Sequence, residues 1–237
     1  NIGLVYDFWG QYDKAIENHQ QALAISRRLG KEGAIASDLK HIGFIYNFLG
    51  RYDKAMENHQ QALTLFRKIG NEKDIASSLI DIGSVYHYWG KSDKAIENYQ
   101  QALTLSRKLG NEEMTASSLN NIGFVYRVWG QYDKAMENYQ QALAIRRKLG
   151  TEDLISTSLN SVGWGYEAWG KYDKAVENFQ EGLAIVRRLG TKYRIADFLG
   201  NLGKVYYGQQ QYVPAIKYLI ESIEVTEKLR KTATGNA

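Results

Sequence analysis

Ser118–Gly150 reads SLNNIGFVYRVWGQYDKAMENYQQALAIRRKLG. Leu119, Ile122, Tyr126 and Trp129 fall at three- and four-residue steps, the spacing of one face of an α-helix. Gly130 then supplies a C-terminal stop. Asp133 opens a second helix, where a carboxylate suits the exposed N–H groups of a first turn. Its apolar face holds Ala135, Tyr139, Ala142, Leu143 and Leu149, and Gly150 ends it. Arg146, Arg147 and Lys148 occupy the last turn, where positive charge is favoured. The stretch is a helical hairpin.

The same hairpin recurs outward in both directions with a period of 40 residues. Gly3, Gly43, Gly83, Gly123, Gly163 and Gly203 share one phase; Gly10, Gly50, Gly90, Gly130 and Gly170 share another, and Gly30, Gly70, Gly110, Gly150 and Gly190 a third. The first copy lacks its start and the sixth has drifted, with Pro214 in the first turn of its second helix, a position that tolerates proline. The expected repeats are 1–31, 32–71, 72–111, 112–151, 152–191 and 192–231, followed by a frayed tail at 232–237. A hairpin exposes an apolar side that it buries only by stacking on its neighbour. At about 1.5–3 kcal/mol per buried Leu or Ile, several such residues per repeat offset the ordering entropy. The expected fold is all-α, a right-handed α-solenoid of antiparallel helix pairs forming a single domain over 1–231.

Composition agrees. The 237 residues are 44% hydrophobic and 24% charged, with a single Pro, which suits long uninterrupted helices with a core. Absence of Cys excludes disulfides and thiolate chemistry and fits a reducing, cytoplasmic compartment. No apolar run reaches the ~18 residues of a membrane span, and no signal-peptide pattern is present. Beginning at Asn1, in mid-repeat, the chain reads as a fragment excised from a longer protein.

The run NIG-x-VY-x-x-WG-x-YDKA-x-EN-x-QQAL resembles the tetratricopeptide signature. Gly123, Tyr126, Gly130, Tyr132, Ala135, Tyr139 and Ala142 match its landmarks in order. Arg147 stands where the family's usual proline would follow the second helix. That departure and the 40-residue period resemble the subclass found in cell-polarity adaptors of the LGN/Pins type and in bacterial signalling proteins, often beside CHAT peptidase domains. The resemblance implies protein recognition, with an extended segment or helix lying in a groove lined by the first helices. It implies no catalysis and no cofactor.

Near-identical copies act as an internal control. On the second helix Lys14, Lys54, Lys94, Lys134 and Lys174 are one residue, as are Glu17, Glu57, Glu97, Glu137 and Glu177, and Gln20, Gln60, Gln100, Gln140 and Gln180. Recent duplication accounts for that uniformity. On the first helix one phase holds Leu4, Phe44, Ser84, Phe124, Trp164 and Lys204; three residues on stand Asp7, Asn47, His87, Arg127, Glu167 and Tyr207; beside these come Phe8, Phe48, Tyr88, Val128, Ala168 and Gly208. One turn earlier are Lys40, Ile80, Asn120, Asn160 and Gly200. Helical spacing gathers these phases into one stripe, roughly opposite the packing stripe.

Drift alone would have touched both exposed faces, whereas a groove reading an asymmetric ligand gives this pattern; a back face constrained by something else would give it too. Exposed aromatics beside mixed charges are the usual composition of recognition surfaces. Trp164 is the expected anchor, with Phe44, Phe48, Tyr88 and Phe124 behind it. Asn47, Asn120, Asn121 and Asn160 could pair with peptide amides. His87, Arg127, Glu167, Lys204 and Tyr207 complete the candidate peptide-binding set. Charges alternate along the stripe (Asp7, Lys40, Asp81, Arg127, Glu167, Lys204), which suits a peptide of mixed charge better than a polyphosphate. Trp9, Trp89, Trp129 and Trp169 share a phase beside the glycine stop and read as packing residues.

The four His are too scattered for a metal site: His19 and His59 replace Tyr99, Tyr139 and Phe179 in phase and read as partly buried rings, whereas His41 and His87 belong to the stripe. No HExxH, phosphate-loop or nucleophile-elbow motif occurs. Two further surfaces compete with the groove. The pairs Arg27–Arg28, Arg67–Lys68, Arg107–Lys108 and Arg187–Arg188, with Arg146–Arg147–Lys148, could form a basic ridge for nucleic acid, but helix-end compensation is the favoured account and Glu32, Glu72, Glu112 and Glu152 follow close behind. The last helix carries Ile216, Tyr218, Leu219, Ile220, Ile223 and Val225, an apolar outer face suited to further chain or a second molecule. The regularity is compatible with a consensus array, but the Ile16, Met56, Ile96, Met136 and Val176 exchanges look like natural drift.

Overall fold

A computed structural model describes residues 12–233. Among the described residues eleven helices follow one another with no strand: α1 Tyr12–Arg28, α2 Glu32–Phe48, α3 Tyr52–Lys68, α4 Glu72–Tyr88, α5 Ser92–Lys108, α6 Glu112–Val128, α7 Tyr132–Leu149, α8 Glu152–Ala168, α9 Tyr172–Leu189, α10 Lys192–Gly208 and α11 Tyr212–Ala233. Even-numbered helices are the first members of pairs, odd-numbered ones the second. Leu4, Asp7, Phe8 and Trp9 lie outside the described residues. Thr232 and Ala233, expected in a frayed tail, belong instead to α11, which runs on by more than a turn beyond its counterparts.

The turn between paired helices is set by glycine. At the end of α2 the Leu49 N–H donates to Ile45 O, Gly50 N–H to Asn47 O and Arg51 N–H to Tyr46 O, using carbonyls the helix would otherwise leave bare. Gly50 sits at φ 71, a region costly for residues with a Cβ. The sixth pair departs, with Gln210 at φ 60 in the glycine position. Asp133 lies in the first turn of α7, but the helix has no side-chain cap, so the carboxylate acts through its charge alone. Pro214 occupies the first turn of α11, where a missing N–H costs nothing.

The chain divides into two compact units, 1–121 and 122–237, with the boundary inside α6. In the first, α2 pairs with α3 and α4 with α5, while α1 packs on α2 and α3 on α4. Ala36, Leu39 and Ile42 of α2 lie between Leu23 of α1 and Ala62 and Phe66 of α3; Met56 and Leu63 of α3 pack against Leu79, Ile82 and Val85 of α4. In the second, α8 pairs with α9 and α10 with α11, α7 packs on α8 and α9 on α10. Met136, Tyr139 and Leu143 of α7 meet Leu159 and Val162 of α8, and Phe179, Leu183 and Val186 of α9 meet Phe198, Leu199 and Leu202 of α10.

The expected faces hold at Leu119, Ile122, Ala135, Tyr139, Ala142 and Leu143, all buried. Leu149 does not follow; it is 41% exposed, and Met136 and Arg146 fill the interior instead. Arg146 is therefore no part of a surface ridge: its guanidinium donates to Ser158 Oγ at 3.0 Å. His19 and His59, expected to be partly buried, are fully enclosed. Trp89 and Trp169 are half-buried on Tyr52 and Tyr132, each covered by a lysine, whereas Trp129 is 38% exposed.

Each pair closes at its first-helix glycine. A Cβ at Gly43, Gly83, Gly123, Gly163 or Gly203 would stand between 2.5 and 2.9 Å from His59, Tyr99, Tyr139, Phe179 or Leu219 respectively. Gly163 is the tightest, 2.5 Å from the wholly buried Phe179 ring. Gly163→Ala should lower stability by about 1–3 kcal/mol through overpacking, despite alanine's better helix propensity. A urea midpoint equal to or above that of the native chain would contradict this close contact.

Candidate functional site

The glycine contact also positions the variable stripe. With the second-helix ring against the bare Cα, the next first-helix residue rests at that ring's edge. Tyr99 donates its hydroxyl to Ser84 Oγ at 3.2 Å. Trp164 stands edge-on to Phe179, centroids 6.0 Å apart. Arg127, one turn beyond Gly123, hydrogen-bonds to Tyr139. Part of the variation read from the copies thus belongs to packing, because each stripe residue must suit the ring beneath it.

In the first unit Phe44, Phe48 and Tyr88 are 57%, 64% and 63% exposed. Phe48 packs on Tyr12 at 4.8 Å and Tyr88 on His87 at 5.3 Å. Asn47 is half-buried and its Oδ1 has no hydrogen-bond partner. The same holds for Asn120, while Asn121 beside it is half-buried. Two charges read as ligand-facing satisfy one another: Lys40 Nζ lies 3.3 Å from Asp81 Oδ2 and also donates to Ser77 Oγ. Burial pushes the Asp81 carboxyl up, and the Lys40 ammonium opposes that shift. Burial likewise raises the Tyr99 hydroxyl to about 12.

In the second unit the stripe forms a pocket of about 390 Å³ lined by Phe124, Arg127, Tyr139, Asn160, Ser161 and Trp164. The Arg127 guanidinium lies 4.7 Å from the Phe124 centroid, a cation–π distance, and its Nε is buried without a hydrogen-bond partner. Asn160 Oδ1 accepts from Asn201 Nδ2 at 2.8 Å. Lys204, exposed, stands 5.3 Å over the Trp164 ring. Trp164 is half-buried against the α9–α10 core, so it is a pocket wall more than a protruding anchor. Glu167 is half-buried and outside the lining, and Tyr207 is 65% exposed against Tyr212. Four of the expected residues (Phe124, Arg127, Asn160 and Trp164) therefore share one pocket. Tyr139 and Ser161 were missed: the first carries the signature of the core, and the second, though it shares the phase of the candidate Asn121, offers only a small hydroxyl.

The uniform face is not flat. Hollows of about 520 and 480 Å³ lie along α3 and α5, lined among others by Glu57, Gln60 and Gln61, and by Glu97, Gln100 and Gln101. Five of the basic residues at the helix ends are matched by carboxylates. Lys68 pairs with Glu32, Lys108 with Glu72 and Arg188 with Glu152, while Arg147 pairs with Glu181 and Arg187 with Glu221. Among the described residues no group of three potential ligands could hold a metal ion, and no described helix is long and apolar enough to cross a membrane.

Sequence profiles of the tetratricopeptide repeat match residues 1–28, 33–108, 114–188 and 195–231. The chain belongs to the tetratricopeptide-repeat family. No functionally curated protein matches it. Among solved structures this tetratricopeptide chain is similar to BtubC from P. vanneervenii, at 21% identity over 92% of each chain and a TM-score of 0.81. It also resembles a Rap protein complexed with Competence and Sporulation Factor, at 18% identity over 97% of this chain and 74% of that one, TM-score 0.75. A third likeness is to the signal-transduction ATPase PH0952 from Pyrococcus horikoshii, which has a tetratricopeptide repeat sensor, at 21% identity over 95% of this chain but 35% of that one, TM-score 0.77. At these identities the likeness is one of fold.

Beneath the stripe, the His59 ring lies against Gly43, and burial, with a smaller contribution from Lys40, lowers it from 6.5 to about 4. Between those values the unfolded chain binds a proton that the folded chain excludes, so stability falls as pH drops from about 6.5 towards 4. His59→Phe, copying the Phe179–Gly163 contact, should remove roughly 2–3 kcal/mol of that loss at pH 4.5. Parallel denaturation curves of the two proteins at pH 7 and 4.5 check this, and an equal loss in both would show that His59 titrates normally.

Proposed function

We propose that the array is a non-catalytic receptor for a peptide or protein segment, held on the first-helix stripe. One observation carries the reading: in the second unit, residues from the variable phases line a single pocket whose wall includes Arg127, a side chain with a buried Nε–H that has no hydrogen-bond partner. An unspent buried donor is costly unless a ligand engages it, and half-buried aromatics beside it supply apolar contact. In the first unit the exposed rings of Phe44, Phe48 and Tyr88 stand on the stripe with Asn47, whose Oδ1 is an unsatisfied acceptor where the second unit has a donor. The fold is an interaction scaffold; the related Rap protein was captured with Competence and Sporulation Factor and the related ATPase carries such repeats as a sensor. We read this array likewise as the recognition part of a larger protein.

Nucleic acid is the weaker reading. A ridge in which Lys68, Lys108, Arg188, Arg147 and Arg187 are paired with Glu32, Glu72, Glu152, Glu181 and Glu221, and Arg146 is buried, has less unspent charge for phosphates. Selection of displayed peptides against the native chain and against a Phe124→Ala, Arg127→Glu, Trp164→Ala variant tests the proposal. Enrichment confined to the native chain is expected; equal enrichment on both would remove the stripe as the site.

A second reading, self-association, has its own support. In α11 Val213 is 82% exposed, Ile216 57%, Ile220 52% and Ile223 58%. Such a row is the kind of apolar surface that marks an interaction site. Light scattering coupled to size-exclusion chromatography should show a species heavier than the 27.0 kDa chain, reverting to monomer in Ile216→Lys, Ile223→Lys. A strict monomer at high protein concentration would count against this role for α11.

A further inference from the structure

The glycine turns that follow α4 and α8 each cover a tryptophan in the same way. Trp89 meets the Tyr52 ring at 6.4 Å, and the Lys91 ammonium lies 3.1 Å from its centroid. Trp169 repeats the arrangement, with Tyr132 at 6.4 Å and Lys171 at 3.0 Å. Both indoles are half-buried. An ammonium is attracted to the negative face of the ring, and a tyrosine adds apolar contact. Each of these indoles is thus satisfied by one aromatic group and one cation of its own chain.

Trp129, after α6, has neither. In its copy the lysine phase holds Gln131 and the tyrosine phase Ser92. Among the described residues its one ring contact is with Tyr126, 5.9 Å away at 71°, and no ammonium or guanidinium lies over it. Lys134 is committed to the Tyr126 ring at 5.3 Å. Trp129 is 38% exposed and Val128 beside it 54%. Single exposed apolar side chains are ordinary, but here two other copies display what covers such an indole.

We propose that the α6–α7 turn is a second protein-docking site, at which a partner's segment supplies the tyrosine and the lysine that this copy lacks. The partner's ring stacks on the Trp129 indole as Tyr52 and Tyr132 do on theirs, and its ammonium takes the place that Lys91 and Lys171 hold in the other turns. Tryptophan is enriched among the residues that dominate protein interfaces. The site does not rest on the stripe reading, because neither Trp129 nor Val128 lines the pocket of Phe124, Arg127 and Trp164.

The probe is the blocked dipeptide acetyl-Tyr-Lys-amide, titrated into the whole chain while the tryptophan indole N–H signals are followed by NMR. Trp129 should shift, whereas Trp89 and Trp169, already covered, should stay in place. Acetyl-Ala-Lys-amide and acetyl-Tyr-Ala-amide should each bind roughly fivefold more weakly, the loss of one aromatic or cation–π contact. Gln131→Lys, on the surface, gives Trp129 the lysine of the other turns. It should erase the advantage of acetyl-Tyr-Lys-amide over acetyl-Tyr-Ala-amide without altering the fold. A Trp129 signal that stays still, that moves equally with all three dipeptides, or that responds as before in Gln131→Lys would overturn the site. So would equal shifts at Trp89 and Trp169, which would mark indiscriminate ring contact. A shift at Trp164 alone would also overturn it while supporting a ligand on the stripe. A Trp129 response that persists in the Phe124→Ala, Arg127→Glu, Trp164→Ala variant would support the turn site whatever becomes of the stripe. Movement of the Trp129 signal with protein concentration alone would place a second copy there and overturn the assignment to a partner.

Discussion

The contact between a bare glycine Cα on each first helix and the ring, or in the last pair Leu219, on the second governs most of what this protein can do. It lets the two helices approach more closely than any Cβ would allow, and the close approach brings the flanking Leu, Ile and Val residues into dense contact. The same geometry places the ring's edge under the next residue of the first helix. There Ser84 meets the Tyr99 hydroxyl and the Trp164 indole meets Phe179, while Arg127, a turn beyond Gly123, reaches Tyr139. Core and binding stripe are therefore mechanically joined, and a change of ring beneath changes what can stand above.

Charge is distributed by a related economy. Where stripe charges lie close on neighbouring first helices, as Lys40 and Asp81 do, they neutralise each other. At the helix ends, basic residues that favour the helix dipole also reach glutamates one or two helices away. These exposed pairs contribute little stability each. Arg127 stands apart because its guanidinium is held by aromatic groups instead of by a carboxylate.

The last helix shows what the stacking rule demands. Ile216 and Ile223 occupy the phases of Met136 and Leu143, which are buried under α8, yet they are exposed. Val213 and Ile220 replace the Asp and Gln of the other copies, widening the apolar row beyond what a following first helix covers in the internal repeats. A helix whose outward face is apolar is unlike a solvating cap.

The helix pairs and their register, the glycine turns and most of the core were legible in one dimension, because a 40-residue repeat states each helical period several times and averages away local ambiguity. The stripe was legible as a set of phases, for the same reason. Its division was not: periodicity tells which residues share a face but not how deeply each lies or what it touches. Only the folded chain showed that Leu149 is exposed and Arg146 buried, since a terminal turn can rotate its last residues towards or away from a neighbour at little cost. Only the folded chain joined Tyr139 and Ser161 to Phe124, Arg127, Asn160 and Trp164, because a pocket is made by three helices at once and its walls are distant in sequence. Local spacing determines the face of a helix; which atoms on that face remain unpaired is decided by the neighbours that the tertiary structure brings against it.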